Sequence, residues 1–216
     1  NYATAHQWYG YITLVVQGRF DEAIAELKRA VELDPLSLII NADLGATYVY
    51  ARRADDAIDQ LGRTLQLDPG FYYAHWNLGT ALELKGSLEA AIAEYQKAYE
   101  LNDDSYILGL LGHAYAISGR KNEALQILKQ LTELSKERYV SAYALAIVHL
   151  GLGDEEQALH WLERSYQARA GSDIGFIKVD PALAPLRGEP RFDNLLGTIF
   201  DPAERAARRP SEPPSI

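Results

Sequence analysis

Asp21-Glu22-Ala23-Ile24 returns as Asp55-Asp56-Ala57-Ile58, Glu89-Ala90-Ala91-Ile92, Asn122-Glu123-Ala124-Leu125 and Glu156-Gln157-Ala158-Leu159, and aligning the alanines gives steps of 34, 34, 33 and 34 residues. A fixed period of this length marks an array of stacked supersecondary units, each too small to bury its apolar face alone. Other columns keep the same register. Gly18, Arg52, Gly86, Gly119 and Gly153 fall in one, and Leu27, Leu61, Tyr95, Leu128 and Leu162 in another. Upstream, Leu44-Gly45, Leu78-Gly79 and Leu111-Gly112 recur, and Asp34-Pro35 and Asp68-Pro69 close the first two units.

Each column has a mechanical reason. Gly45, Gly79 and Gly112 fall inside helical patterns, where Gly costs about 1 kcal/mol against Ala, so close approach of two helix backbones must offset it. Ala23, Ala57, Ala91, Ala124 and Ala158 are the expected small partners on the second helix of each unit, with Tyr48 and Tyr115 filling the space beside them. The turn column ends each first helix through the left-handed conformation that Gly adopts cheaply. Asp-Pro ends the second helix, because Pro disfavours helical geometry in the residue before it. Within Ala23 to Val31 the apolar residues recur at three-and-four spacing with Glu and Lys between them, the pattern of an amphipathic helix.

This set of columns resembles the tetratricopeptide repeat: a Leu-Gly pair, an aromatic, a small Ala, a second Ala and a closing Pro. The resemblance implies an all-α fold, a right-handed α-α superhelix of about five helix-turn-helix repeats. The units are expected at 4–37, 38–71, 72–104, 105–138 and 139–172, within a single domain spanning 1–200. Some copies depart from the pattern. The first has Gly10-Tyr11 where Leu-Gly is expected, the second has Arg52 at the turn, and the fourth and fifth lack the closing Pro.

After Gly171 the period stops, and Phe176-Ile177-Lys178-Val179-Asp180-Pro181 is followed by Leu186-Arg187-Gly188-Glu189-Pro190-Arg191-Phe192. A stacked array needs an atypical closing unit to cover its last apolar face, so 173–200 is expected to be a helical cap. Pro181 and Pro190, each after an acidic residue, mark starts of short helices. Phe176, Leu183, Leu186, Phe192 and Leu196 are expected to pack on repeat five. Together with Tyr143 to Asp154, this stretch resembles the carboxyl end of repeat regions in bacterial winged-helix transcriptional regulators and repeat-containing serine/threonine kinase chains, which implies a regulatory parent. Residues 201–216 lack apolar periodicity and are expected to form a flexible tail.

Composition narrows the functional classes. The chain is 48% hydrophobic and 24% charged, without Cys, so disulfide frameworks and thiol chemistry are excluded. Met is also absent, including at position 1, which fits a segment of a longer polypeptide. A net charge of −9 disfavours sequence-independent nucleic-acid binding, and no apolar run is long enough to span a membrane. A cytoplasmic location is expected. The histidines are scattered without metal-ligand spacing, no phosphate-binding Gly-rich loop exists, and Asp55-Asp56 and Asp103-Asp104 suit helix starts. Neither an enzyme nor a cofactor or metal site is expected.

The resemblance implies that the first helices line a concave face, and here they are rich in aromatic residues. The register places Trp8 and Ile12 inward from repeat one, Ile39 and Tyr50 from two, and Tyr73, Trp76, Asn77 and Thr80 from three. Tyr106 and His113 follow from four, and Tyr143 from five. Some members of the family hold a carboxyl-terminal carboxylate with Lys, Asn and Arg on successive first helices. Asn77 matches one such position, but Ala42, Ala46, Tyr106 and Leu110 stand where the others belong. The expected ligand is therefore an extended or helical apolar protein segment, with self-association or an intramolecular regulatory role as the alternative.

Overall fold

The computed structural model describes residues 2–168 and 173–200, and the tail proposed for 201–216 lies outside them. Helices come in antiparallel pairs. Repeat one pairs α1 (Ala3–Trp8), which continues as a π-helix over Tyr9–Val15, with α2 (Phe20–Leu33). Then come α3 (Leu38–Tyr50) with α4 (Ala54–Leu67), and α5 (Tyr72–Leu84) with α6 (Leu88–Leu101). The last pairs are α7 (Ser105–Ile117) with α8 (Lys121–Leu134), and α9 (Ala142–Gly151) with α10 (Glu155–Gln167). The cap consists of α11 (Asp173–Phe176), a 3-10 helix (Pro181–Leu186) and α12 (Pro190–Phe200). No strand occurs among the described residues.

The columns do what helix crossing requires. All five column alanines are fully buried. A Cβ on Gly79 would lie 2.7 Å from the Tyr95 ring, and one on Gly45 would lie 2.5 Å from Leu61. The second helices begin with acidic residues, such as Asp21 and Glu22 or Asp55 and Asp56, at the positive end of the helix dipole. At the turns, Gly18, Gly86, Gly119 and Gly153 take φ of 75° to 83°, and Arg52 is forced to φ 58° in the same column. Tyr48 and Tyr115 are buried beside the crossings and carry the guanidinium groups of Arg53 and Arg120 at 5.0 and 4.5 Å from their ring centroids.

Repeat one departs from the regular winding for a countable reason. Gly45 and Ala57, Gly79 and Ala91, and Gly112 and Ala124 are each 12 positions apart, whereas Gly10 and Ala23 are 13 apart. Gly10 still makes the close approach: a Cβ there would meet the Ala23 carbonyl at 3.1 Å and Leu27 at 3.2 Å. The π-helix absorbs the extra residue, since its wider turn carries more residues for the same advance of the crossing.

The cap overturns one expectation. Leu183, Leu186 and Phe192 join the core shared by repeats four and five, and Leu196 packs against it. A two-pronged contact fastens α12 to α10, with Arg191 donating from Nε and Nη2 to the Glu163 oxygens at 2.7 Å each. Phe176, however, packs at the other end of the array. Its ring centroid is 5.2 Å from both Tyr11 and Tyr50, and Val179 joins Leu14, Val15 and Ala23 in the core of repeat one. The segment between the two contacts lies across the concave face, so the cap closes on both ends of the superhelix. Periodicity could not place Phe176, because residues beyond the repeats carry no register.

Candidate functional site

Two runs of rings cover the concave face. Tyr11, Tyr50 and Phe176 form the first. In the second, Trp76 meets Tyr73 edge-on at 5.0 Å and Tyr106 at 4.8 Å, and Tyr106 stacks on Tyr143 at 5.6 Å. Edge-to-face and offset pairs of this kind are the preferred aromatic geometries and hold one another in place. The runs line one cavity of about 360 Å³, together with Phe71, Tyr72, Ile12, Ile39 and Asp180. A more polar cavity of about 440 Å³ adjoins it, sharing Tyr72, Trp76 and Tyr106 and adding Asp103, Asp104, Arg138 and the exposed Tyr139. Trp76 is thus common to both walls.

Behind the rings lie two buried carboxylates. Asp43 of α3 accepts from Gln7 Nε2 at 2.7 Å and from the Tyr73 hydroxyl at 3.2 Å, and the Tyr11 and Tyr73 hydroxyls are 2.9 Å apart. One acid therefore ties together the first helices of repeats one, two and three. Burial pushes its carboxyl up to about 6, although the Gln7 and Tyr73 hydrogen bonds pull the other way. Asp180 of the cap accepts from the Tyr143 hydroxyl and, at 2.8 Å, from the Ala182 amide. Burial raises its carboxyl as well, against the pull of Tyr143, Ala182 and His113. Burial and the nearby acids hold the Tyr11, Tyr73 and Tyr143 hydroxyls well above the usual tyrosine range, so they are protonated donors.

Of the residues expected inward, Ile12, Ile39, Tyr50, Tyr73, Trp76, Tyr106 and Tyr143 line the aromatic cavity. Asn77 and Thr80 instead face a gap of about 20 Å³ beneath Pro181 and Ala182 of the cap. Their side chains bond within the fold: Asn77 Nδ2 donates to the Tyr73 carbonyl at 2.8 Å, and Thr80 accepts from the Tyr95 hydroxyl at 3.2 Å. His113 is buried with Nδ1 3.1 Å from Glu83 Oε1. Burial alone would lower its pKa, but the Glu83 and Asp180 carboxylates outweigh that and raise it. Trp8 is 66% exposed and does not line this cavity. The extra residue absorbed by the π-helix explains its placement. Counted back from Gly10, as Trp76 is from Gly79, the inward position is Gln7, and one residue is a rotation of about 100°.

Sequence reasoning missed Tyr11, Phe71, Tyr72, Phe176 and Asp180 in the lining. The shift at Gly10 was the available signal for Tyr11. Nothing periodic pointed to Phe176 or Asp180. Among the described residues no group of three potential metal ligands is assembled, and no helix is long and apolar enough to cross a membrane.

Comparison with known proteins agrees with this architecture. Residues 42–106 match one family description of the tetratricopeptide repeat, and residues 13–35 and 105–138 match a second description of the same repeat. A search of curated proteins finds no match. Among solved structures, TTC0263, a thermophilic protein with these repeats from Thermus thermophilus, is similar at 20% identity and a TM-score of 0.63, covering 84% of this chain and 98% of that one. A MamA structure designated MSR-1 C2 is similar at 25% identity and a TM-score of 0.52, covering 63% of this chain and 79% of its own. Another MamA crystal structure is 23% identical with a TM-score of 0.52, covering 76% and 90%.

Proposed function

We propose that this chain, which belongs to the tetratricopeptide-repeat proteins, is a scaffold that captures an extended or helical segment of a partner protein through its concave aromatic cavity. The observation that carries this reading is the cavity of about 360 Å³ in which nine of twelve lining side chains are aromatic. Pockets of this size bury one anchoring group, and truncating an anchor or the residue that receives it typically costs at least about 2 kcal/mol of binding. The resemblance carried by the phrase Phe176 to Pro181 supports a place for the scaffold within a larger regulatory protein. The test is capture of partners by the wild type and by Trp76→Ala, followed by titration of the captured segment and thermal melting of both proteins. A variant that stays folded and binds the segment unchanged refutes the site.

A second reading has its own observation. Tyr2 and Trp8 of repeat one are 70% and 66% exposed, apolar surface outside the cavity on which another copy can stack. Sedimentation at several concentrations decides it: a dimer that Trp8→Ser dissociates supports self-association, and a monomer throughout removes it.

A further inference from the structure

Resting on the reading of this cavity as the recognition site, its lining raises the question of which chemical group it fits. None of the lining side chains is Lys, Arg or His, and the one ionisable carboxyl among them is Asp180. An anion would meet no positive charge there. The hydroxyls that line it are also largely committed elsewhere: Tyr73 donates to Asp43, Tyr11 pairs with Tyr73, and Tyr143 donates to Asp180. What these phenols leave for a ligand is therefore ring surface, and a ring's faces carry the negative pole of the aromatic quadrupole.

The ionisable groups directly behind the rings are acids, and although burial raises both carboxyls, any charge they take up is negative. Asp43 is bonded to Gln7 and Tyr73, both uncharged, and forms no ion pair among the described residues. Asp180 accepts from the uncharged Tyr143 hydroxyl and Ala182 amide, while His113 has Glu83 as its partner at 3.1 Å. The site is thus a space lined by nine aromatic side chains and one acid, with no basic side chain among them. Its volume admits a tetraalkyl head and part of its stem.

We propose that this cavity is an aromatic cage for an organic cation of the methylated or quaternary ammonium class. Such a head has an apolar shell and a delocalised positive charge. It satisfies the apolar lining and the negative potential together, whereas a strongly hydrated primary ammonium loses more on entering.

The experiment is titration of the protein with choline and with choline's uncharged carbon isostere, in which a carbon atom replaces the nitrogen, followed by calorimetry and ligand-observed NMR. Choline is expected to bind at least about tenfold more tightly than the isostere, the discrimination a desolvated cation over aromatic faces provides. Trp76→Leu, which keeps apolar bulk but removes a π face, is expected to abolish that preference while the melting profile shows the protein folded. Equal binding of the two probes overturns the cation cage and leaves an apolar anchor site, the Proposed function standing. Binding of neither overturns the cage too, and the captured-segment titration then judges the scaffold reading separately. A peptide carrying trimethyllysine, compared with the same peptide unmodified and with free choline, identifies the source. Tighter binding of the modified peptide assigns the cation to a protein partner, and equal affinity for choline assigns it to a small molecule; both support the cage.

Discussion

Phe176→Ala tests the closure of the cap onto the far end of the array. The Phe176 ring is partly buried and makes two aromatic contacts, with Tyr11 and Tyr50, each at 5.2 Å. Aromatic pairs contribute about 0.5–1.5 kcal/mol each beyond area burial, and a fully buried Phe→Ala change costs about 3–5 kcal/mol. With the ring only partly covered, the expected loss is about 2 kcal/mol. For a chain of this size that is a fall of roughly 4–8 °C in melting midpoint. The location of the effect discriminates better than its size. Amide exchange should accelerate in α1 and α2, more than a hundred residues away in sequence, by up to about thirtyfold if those helices open independently. Leu183→Ala is the control. Leu183 is fully buried with repeats four and five, so its loss should cost about 2–5 kcal/mol and loosen that end first. If Phe176→Ala melts like the wild type and leaves exchange in repeat one unchanged, the cap does not bridge the two ends and the cavity lacks its closing wall.

Three further outcomes follow from single residues. Ala91→Leu forces bulk into the fully buried crossing of α5 and α6 and should cost about 1–3 kcal/mol; an unchanged denaturation midpoint refutes the crossing. Arg52→Gly relieves the positive φ of 58° and should raise stability by about 1 kcal/mol in the same assay, against the strain argument if it lowers it. Asp43, whose folded pKa of about 6 lies above the roughly 3.9 of an unfolded Asp, binds a proton more readily in the folded state. Its contribution is therefore fully present below about pH 4 and is lost as pH rises through about 6. Asp43→Asn should flatten stability over that window by on the order of 3 kcal/mol, and a profile identical to the wild type contradicts the assignment.

Repetition made the repeats legible. A column that recurs five times reports the same helix crossing five times, and the alanines, the turn glycines and Tyr95 sit where the spacing put them. The same averaging misplaced whatever broke the period. Counting from Ala23 turned Trp8 inward, whereas counting from Gly10 puts Gln7 there, and only Gln7 reaches Asp43. Asp43 and Asp180 were invisible as site groups for a different reason. A single buried acid has no periodic signature, and its role depends on tyrosines that are distant in sequence: Tyr73 is 30 residues from Asp43, and Tyr143 is 37 residues from Asp180. The aromatic richness of the first helices was legible, but which rings share a cavity depends on the cap.

The cap also decides what kind of ligand the concave face can take. An array with an open groove binds a segment along its length, but here Pro181 and Ala182 already lie over Asn77 and Thr80, leaving a gap of about 20 Å³. A partner that claimed that stretch would have to lift the segment holding Leu183, Leu186 and Phe192, all essentially fully buried. At about 1.5–3 kcal/mol for each large apolar side chain returned to water, the displacement costs on the order of 5 kcal/mol before any new contact forms. That reduces apparent affinity by more than about a thousandfold. The aromatic cavity beside the cap carries no such penalty, and Ile12 and Ile39 at its rim are exposed. The energetics therefore favour one deep anchor group at Trp76 over a long strand or helix laid in the groove, and a partner segment truncated to the few residues around that anchor should keep most of its affinity. Affinity that instead falls steadily with each residue removed from either end would mean that the cap moves aside and the whole groove is used.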